Sequence, residues 1–346
     1  MKQLFKWIVA IILYYTGILY LFRRFNPYSR DGLWILEYHR IANDKEDILK
    51  MVVSPKHFRK QMRYLKKKYN VISLKEAVEK IKNYQPLPPY SVAITFDDGY
   101  LDNYLNAYPI LKKFDIPATI FLTTDYIGSE KLVWFDELVE LIKATPLKRI
   151  SMKFDDFEEI YDLSDKFLKN KLILKLLDML KNAHPKKRNR YLDEFKILLQ
   201  VNEVNNPQKI LMNWQQIKEM SENGIEFGSH GITHTVLTVL NNLEAEEEIT
   251  LSKKIIEDKL NKPVFLFCYP NGLENHFNEV LIAKLKNAGY QAACTGLLGK
   301  NKEKNDLFKL KRRGIEKESS SGPFGLFSKA LFACEISGIF DFLFIR

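Results

Sequence analysis

The sequence predicts an α/β fold, a parallel barrel of about seven strand-helix units with a helical insertion and an N-terminal membrane helix. Three observations support this prediction. Short apolar runs alternate with amphipathic segments between residues 33 and 310. Polar residues directly follow several of these runs, as active-site residues do at the carboxyl ends of barrel strands. The third observation is an uncharged stretch at residues 7–22.

The predicted strands are short and mostly apolar, and they occupy residues 33–39, 71–74, 92–95, 117–123, 225–227, 263–267, 290–295 and 307–310. Helices are predicted between them at residues 54–69, 74–81, 103–114, 214–222, 243–260 and 278–288. The first helix illustrates the two features on which these predictions rest, a start signal and an apolar face. Ser54-Pro55 is a typical helix start, and Phe58, Met62 and Leu65 share one face.

The alternation lapses between residues 136 and 207, where helical segments are expected at 138–143, 164–181 and 187–199. We interpret this stretch as an insertion or lid on a barrel that spans residues 33–315. Its basic run, residues 181–190, is expected to be a solvated face.

The N-terminal apolar stretch, WIVAIILYYTGILYLF, is at the short end for a membrane-spanning helix and too long for a signal-peptide core. Arg23 and Arg24 follow it, with no small-x-small cleavage site. We therefore expect a single-pass anchor at residues 1–24 in the cell membrane, with a cleaved signal or a buried helix as alternatives. Basic residues on both sides leave the orientation open. The apolar residues 322–346 predict a buried or interfacial amphipathic tail.

Composition narrows the possible partners. The net charge of +10 suits an anionic membrane surface, but the lysines lack interleaved aromatic residues, so no nucleic-acid partner is expected. The three cysteines form no CxxC pair, which argues against a disulfide framework or a cysteine zinc site. The oligomeric state is left open.

Two motifs carry candidate chemistry. The segment VAITFDDGY ends a strand at two adjacent carboxylates, Asp97 and Asp98, and FGSHGITH brings His230 and His234 four residues apart after another strand. One carboxylate and two imidazoles form a three-ligand set for a divalent metal with an open position, which is a catalytic pattern. Zinc is the expected ion, because imidazole nitrogen favours a borderline metal over magnesium or calcium.

Together with FCYPNG, these motifs resemble the polysaccharide deacetylase family, also known as the NodB-homology domain or carbohydrate esterase family 4. The resemblance implies a distorted (β/α)7 barrel and a metal-dependent hydrolase that removes acyl groups from amino sugars. It further implies that Asp98, His230 and His234 are the metal ligands and that Asp97 is the catalytic base. The backbone amide of Tyr269 would bind the oxyanion.

The sequence departs from the common family pattern in two places. No histidine follows His276 to serve as the acid, so we expect His39, in LEYHRI, to take that role. This arrangement resembles the branch that contains the poly-N-acetylglucosamine deacetylases. The arginine often found before the Pro-Tyr of the third motif is also absent, and Arg40, Arg312 and Arg313 remain open as replacements.

Two functions from different classes are compatible with the sequence. The first is a deacetylase acting on a membrane-proximal polysaccharide or lipid-linked glycan, and the alternative is an inactive glycan-binding barrel in an envelope-assembly complex. A complete set of ligands, base and acid favours the enzyme, because a binding protein would be free to lose them. Among the other histidines, His57, His184 and His276 are expected at the surface.

Overall fold

The computed structural model describes residues 2–44, 46–154, 157–201, 210–302, 304 and 306–344. Strands are numbered in chain order: β1 Leu33–Tyr38, β2 Asn70–Val71, β3 Ser91–Phe96, β4 Thr119–Leu122, β5 Arg149–Phe154, β6 Phe157–Asp162, β7 Glu226–Ser229, β8 Leu266–Cys268, β9 Ala292–Leu298 and β10 Leu310–Gly314.

Seven of these strands close into a parallel barrel in the order β1-β10-β9-β8-β7-β4-β3 and back to β1. Leu33 to Tyr38 of β1 pair in register with Ser91 to Phe96 of β3, which closes the ring. The short β2 pairs with the start of β3. The predicted (β/α)7 barrel is therefore confirmed. Because all strands are parallel, their carboxyl ends meet at one mouth.

The α-helices found among the described residues are α1 Lys2–Tyr15, α2 Ile18–Phe25, α3 Pro27–Arg30, α4 Pro55–Lys68, α5 Leu74–Lys82, α6 Tyr108–Phe114, α7 Trp134–Ala144, α8 Lys166–Lys181, α9 Pro185–Leu198, α10 Trp214–Glu222, α11 Asn242–Leu260, α12 Glu279–Asn287, α13 Lys329–Ser337 and α14 Ile339–Leu343. Local sequence explains many of their starts. Ser54 accepts a hydrogen bond from the backbone N–H of His57, and Asn241 forms a capping box with Glu244.

The insertion contains the expected helices α7, α8 and α9, but it also contains an antiparallel hairpin, β5 and β6, that was not predicted. Ile150 and Met152 are buried two residues apart, which is the strand periodicity. Residues 202–209, at the end of the predicted insertion, lie outside the described residues.

The terminal segments pack on each other. The axes of α1 and α2 differ by 74°, and Gly17 takes up the change of direction with a φ of 83°. No described helix is by itself long and apolar enough to cross a membrane. Helices α1 and α2 taken together have the length and composition to do so. The spanning anchor stays a prediction. Helix α13, near the C-terminus, is largely buried, and the thiol of Cys334 lies 3.9 Å from the carbonyl oxygen of Ala10 in α1.

Candidate active site

The predicted site residues lie at the carboxyl ends of four barrel strands around the mouth, and Tyr269 directly follows one of them, β8. His39 follows β1, Asp97 and Asp98 follow β3, and His230 follows β7. His234 lies on the loop after His230, and its side chain returns to the same point. These residues are far apart in sequence, so the parallel barrel is what brings them together.

Asp98, His230 and His234 form a buried cluster. The Asp98 Oδ1 lies 3.8 Å from the Nε2 of His230 and 3.4 Å from the Nε2 of His234. Neither carboxylate oxygen of Asp98 has a hydrogen-bond partner among the described residues, although both are buried. Asp98 and His234 have φ angles of 70° and 53°, a strained conformation for residues other than glycine. An unpaired buried carboxylate facing two imidazole nitrogens fits a divalent metal.

The electrostatics of the cluster favour a cation. Burial, followed by the nearby charge of Asp97, raises the pKa of Asp98 well above its usual value. Burial lowers the pKa of His230 to about 4 and that of His234 well below its usual value, so both rings are neutral. The Nδ1–H of His230 donates to the carbonyl oxygen of Cys268 at 2.7 Å, which leaves its Nε2 free for a metal.

Asp97 is held by Arg312 in a bidentate pair. The Nη1 of Arg312 donates to Oδ1 at 2.8 Å and its Nη2 donates to Oδ2 at 2.7 Å. Burial by itself would raise the pKa of Asp97, but the Arg312 charge and then His230 hold that pKa below its usual range. Arg312 is thus the arginine that supports Asp97. Arg40 pairs instead with Asp102, and Arg313 pairs on the outside of the barrel.

A cavity of about 470 Å³ opens over these groups. The insertion and the segment after β1 form much of its wall, which also includes residues of the barrel mouth. The lining residues are Glu37, His39, Leu49, Met51, Asp97, Asp98, Trp134, Phe135, Leu174, Leu177, Asp178, Lys181, His230, His234, Asn271 and Arg312.

Comparison with known proteins identifies the family. The family model for polysaccharide deacetylase matches residues 84–293. The chain belongs to the polysaccharide deacetylase family. A poly-beta-1,6-N-acetyl-D-glucosamine N-deacetylase of Staphylococcus epidermidis is 31% identical over 222 residues, covering 58% of this chain and 73% of the relative. The chain is accordingly a polysaccharide deacetylase, a hydrolase of carbon–nitrogen bonds other than peptide bonds, in a family that is typically metal-dependent.

Solved structures support the same fold. IcaB from Ammonifex degensii has a TM-score of 0.54 at 20% identity, covering 84% of this chain and 94% of that chain. The Streptococcus pyogenes deacetylase PplD, solved in complex with acetate, has a TM-score of 0.55 at 21% identity, covering 83% of this chain and 93% of that chain. At these sequence identities, the structural similarity establishes the fold of this chain and nothing about its substrate.

His39 reaches the deacetylase site from the first strand. Its Nε2 lies 4.0 Å from Asp97 Oδ2 and 3.9 Å from Glu37 Oε1, and the side chain is partly exposed at the mouth. The Nε of Arg312 lies 3.4 Å from the other oxygen of Glu37. Glu37 was not predicted as a site residue. Its position in the sequence could have indicated a place in the site, because Glu37 lies two residues before His39 and therefore on the same face of β1.

Tyr269 does not match its predicted role as the oxyanion donor. Its backbone N–H donates to the carbonyl oxygen of Cys294 at 3.0 Å, so this donor is already engaged in the β8–β9 pairing. Its side chain is fully buried, and the hydroxyl donates to the carbonyl oxygen of Phe308 at 3.2 Å. The same turn instead brings Asn271 to the cavity. The motif alone does not reveal that the backbone N–H of Tyr269 is hydrogen-bonded in the pairing of β8 with β9.

The loop that carries the two histidines is fastened by a buried carboxylate. Glu248 of α11 accepts hydrogen bonds from the backbone N–H groups of Ile232 and Thr233, at 2.6 and 3.1 Å, and from the Thr233 hydroxyl at 2.6 Å. Without this acceptor the two partly buried N–H groups would need other partners. Glu248 was missed because it stands in a run of glutamates on the predicted helix at residues 243–260, where nothing in the sequence sets it apart from its neighbours.

The insertion contributes a second buried contact to this loop. Arg188 of α9 is 2% exposed, lies with its guanidinium 5.0 Å from the Trp134 ring centroid, and donates to Thr235 Oγ1 at 3.1 Å. The prediction that the whole basic run is a solvated face was therefore wrong for Arg188, and Lys181 lines the cavity. The surface prediction was also wrong for two histidines. His57 packs against Ser321 and Phe327, and His276 is 2% exposed.

Proposed function

We propose that this deacetylase removes an N-acetyl or similar acyl group from an amino sugar of a membrane-proximal polysaccharide or lipid-linked glycan. The supporting observation is the cavity over the barrel mouth, which is lined by Asp97, Asp98, His39, His230 and His234. One pocket thus contains a metal-ligand set, an ionised carboxylate and a histidine at the entrance. The S. epidermidis relative makes an N-acetylglucosamine polymer the first substrate to test.

Asp98, His230 and His234 would hold the divalent ion, and we expect zinc. When bound, the ion supplies a Lewis acid for the acyl carbonyl and lowers the pKa of a water molecule. The three residues contribute by their protonation states. The two neutral imidazoles already present free ring nitrogens, whereas Asp98, whose pKa is raised by burial, would release its proton as the cation binds.

Asp97 is the proposed general base. The Arg312 pair keeps it ionised, so it can accept a proton from the attacking water at neutral pH. The same pair fixes the carboxylate plane, since two parallel N–H donors restrict its rotation. Arg312 is itself held by a hydrogen bond of 2.9 Å from its Nε to the carbonyl oxygen of Thr295.

His39 is the proposed general acid for the departing amine. It comes from a different strand than the metal ligands, is partly exposed to the cavity, and its Nε2 lies 4.0 Å from the Oδ2 of Asp97, the oxygen that the Nε2 of His230 also approaches at 3.8 Å. The Oε1 of Glu37 lies 3.9 Å from the Nε2 of His39, close enough to orient the imidazole ring. Asn271, which lines the cavity, is the proposed oxyanion donor in place of the engaged amide of Tyr269.

The cavity wall supports an amphipathic substrate. Leu49 and Met51 come from the segment after β1, and Leu174 and Leu177 come from α8, so two separate segments present aliphatic side chains. Asp178 and Lys181 add polar groups to the same helix face. A glycan with an apolar attachment, held near a membrane, suits both kinds of surface.

The test is acetate release by the full chain from β-1,6-linked N-acetylglucosamine oligomers and from a lipid-linked amino-sugar glycan. We expect metal-dependent release that is lost with a chelator and restored by zinc. Asp97→Asn should lower the rate on the order of a hundredfold or more, while Asp125→Asn, a change at an exposed carboxylate outside the cavity, should not. A folded, metal-loaded chain that releases no acyl group from either substrate would contradict the proposal.

A further inference from the structure

The bent helix pair exposes an uninterrupted apolar surface. Its members share the side of α1 and α2 that faces away from the barrel, with exposures of 43 to 76%: Leu4, Phe5, Ile8, Ile12, Tyr15, Ile18, Leu21 and Phe25. On α1 the spacing of four, four and three residues from Leu4 through Tyr15 keeps these side chains on one helix face. We call this set the outer apolar face.

The opposite side of α1 is fastened to the body of the protein. Ala10 is fully buried against α13, and the Nζ of Lys6 lies 2.5 Å from Glu335 Oε2. The side chain of Gln3 donates to the backbone carbonyl oxygens of Glu318 and Ser321. The helix is therefore held along one side, and its apolar side stays largely exposed among the described residues, with Phe5 touching only the ring edge of Phe344.

Exposed aromatic residues from the C-terminal segment continue this surface. Gly322 lies against the Trp7 ring, and Phe324 follows two residues later with 99% exposure. The ring of Phe342 is 5.6 Å from that of Phe22 in α2 and is itself 56% exposed. The surface therefore combines α1, α2 and the C-terminal segment, and it exceeds a scatter of single exposed apolar residues.

The segment that carries both helices has charge of one sign. Residues 1–30 contain two lysines, three arginines and no acidic residue. In the C-terminal segment, Glu335 and Asp341 are both paired with the buried guanidinium of Arg313. These two acidic groups are thus compensated by Arg313, Glu318 remains exposed beside Gln3, and Lys2 and Arg24 stand at the two ends of the helix pair. This pattern complements anionic lipid headgroups.

We propose that the outer apolar face lies in the surface of an anionic bilayer, with α1 and α2 in the membrane plane. This deepens the membrane part of the proposed function. The alternative of a spanning helix fits the contacts less well. At a rise of 1.5 Å per residue, α1 is only about 21 Å long, against roughly 30 Å of hydrocarbon. Straightening the pair across a bilayer would separate Lys6 from Glu335 and leave a buried carboxylate with less compensation.

Vesicle flotation tests the docking without requiring catalysis, so its result is separate from that of the deacetylase assay. The purified full chain is mixed with phosphatidylcholine vesicles with or without phosphatidylglycerol. We expect flotation that increases with the anionic lipid. Ile8→Glu with Ile12→Glu should reduce the bound fraction more than tenfold. Ile197→Glu with Leu243→Glu is the matched control, since those residues are 80% and 75% exposed on other helices.

Equal flotation of the Ile8/Ile12 variant and the unchanged chain would overturn the docking surface. So would a loss of similar size in the Ile197/Leu243 control, or no flotation of the unchanged chain. If light scattering shows that the Ile8/Ile12 change converts a dimer into a monomer, the face binds a second copy and the proposal is also wrong.

A labelling experiment separates an in-plane pair from a spanning one. Cysteines introduced singly by Lys2→Cys and Arg24→Cys are treated in intact cells with a membrane-impermeant maleimide. The native cysteines are buried and provide a low background. In-plane helices place both ends on the same side, so both positions or neither should react. Reaction of one position alone, with the other reacting only after lysis, would show a spanning segment and refute the proposal.

Discussion

The strongest prediction concerns Arg312→Met, which removes the partner of a buried catalytic carboxylate. Arg312 and Asp97 are both only 2% exposed at their side chains, so solvent screens this pair very little. Removing one member of a buried ion pair destabilises a protein by about 3 to 5 kcal/mol. Methionine fills most of the space but offers no donor, so Asp97 loses both hydrogen bonds. We expect a loss of this size in urea unfolding at neutral pH.

The same substitution should change the pH dependence of activity. In the unchanged chain the depressed pKa of Asp97 contributes stability above its unfolded pKa of about 3.9, and this contribution is lost as the pH falls through the folded value. Without Arg312, burial becomes the main influence and raises the pKa of Asp97. The acid limb of kcat/KM should therefore move to higher pH, because the base must be ionised.

Two further variants act as controls. The coupling between Arg312 and Asp97 is measured by a double-mutant cycle of Arg312→Met and Asp97→Asn. The double variant should lose less stability than the sum of the losses in the two single variants. Arg40→Met removes a less buried pair with Asp102, so its loss should be smaller than that of Arg312→Met, with no shift of the acid limb. If the free energy of unfolding of Arg312→Met is within about 1 kcal/mol of that of the unchanged chain, and the acid limb of its kcat/KM profile does not move, our account of this pair is wrong.

Three other predictions concern the ligands, the acid and the loop. Asp98→Ala with His230→Ala should abolish stoichiometric metal in a folded chain, and unchanged occupancy by metal analysis would place the ion elsewhere. His39→Ala should retain metal and lose at least about tenfold more rate on an N-acetyl sugar than on nitrophenyl acetate, whose leaving group needs no proton; equal losses would exclude it as the acid. Glu248→Gln should weaken metal binding by roughly tenfold, measured by competition with a chelator, and unchanged affinity would contradict its positioning role.

The motif residues could be predicted from sequence because each follows an apolar strand, and a parallel barrel brings such positions together. Asp97, Asp98, His230, His234 and His39 do surround one cavity. Their catalytic roles stay predictions. The barrel itself followed from the alternation of strands and helices, since that period is a local property of the chain.

Other features depend on tertiary contacts that leave no local pattern. Arg40, Arg312 and Arg313 were equivalent in the sequence, and only the inward direction of one side chain of β10 distinguishes Arg312. Glu248 looked like its exposed neighbours on a charged helix. The amide of Tyr269 was predicted from a motif, yet strand pairing had already engaged it.

The alternation of side chains along β10 has a practical consequence for protein production. Arg312 points into the barrel toward Asp97, while the adjacent Arg313 points outward to Glu335 and Asp341, and its guanidinium lies 4.3 Å from the Trp34 ring centroid. Trimming the gene to the motif-bearing region, residues 33–315, would delete both acidic partners. An unpaired guanidinium would then stand beside the arginine that orients the base. If such a shortened enzyme were inactive, the cause would be the disturbed strand β10 and not the lack of a catalytic group. The protein should therefore be expressed with both terminal segments.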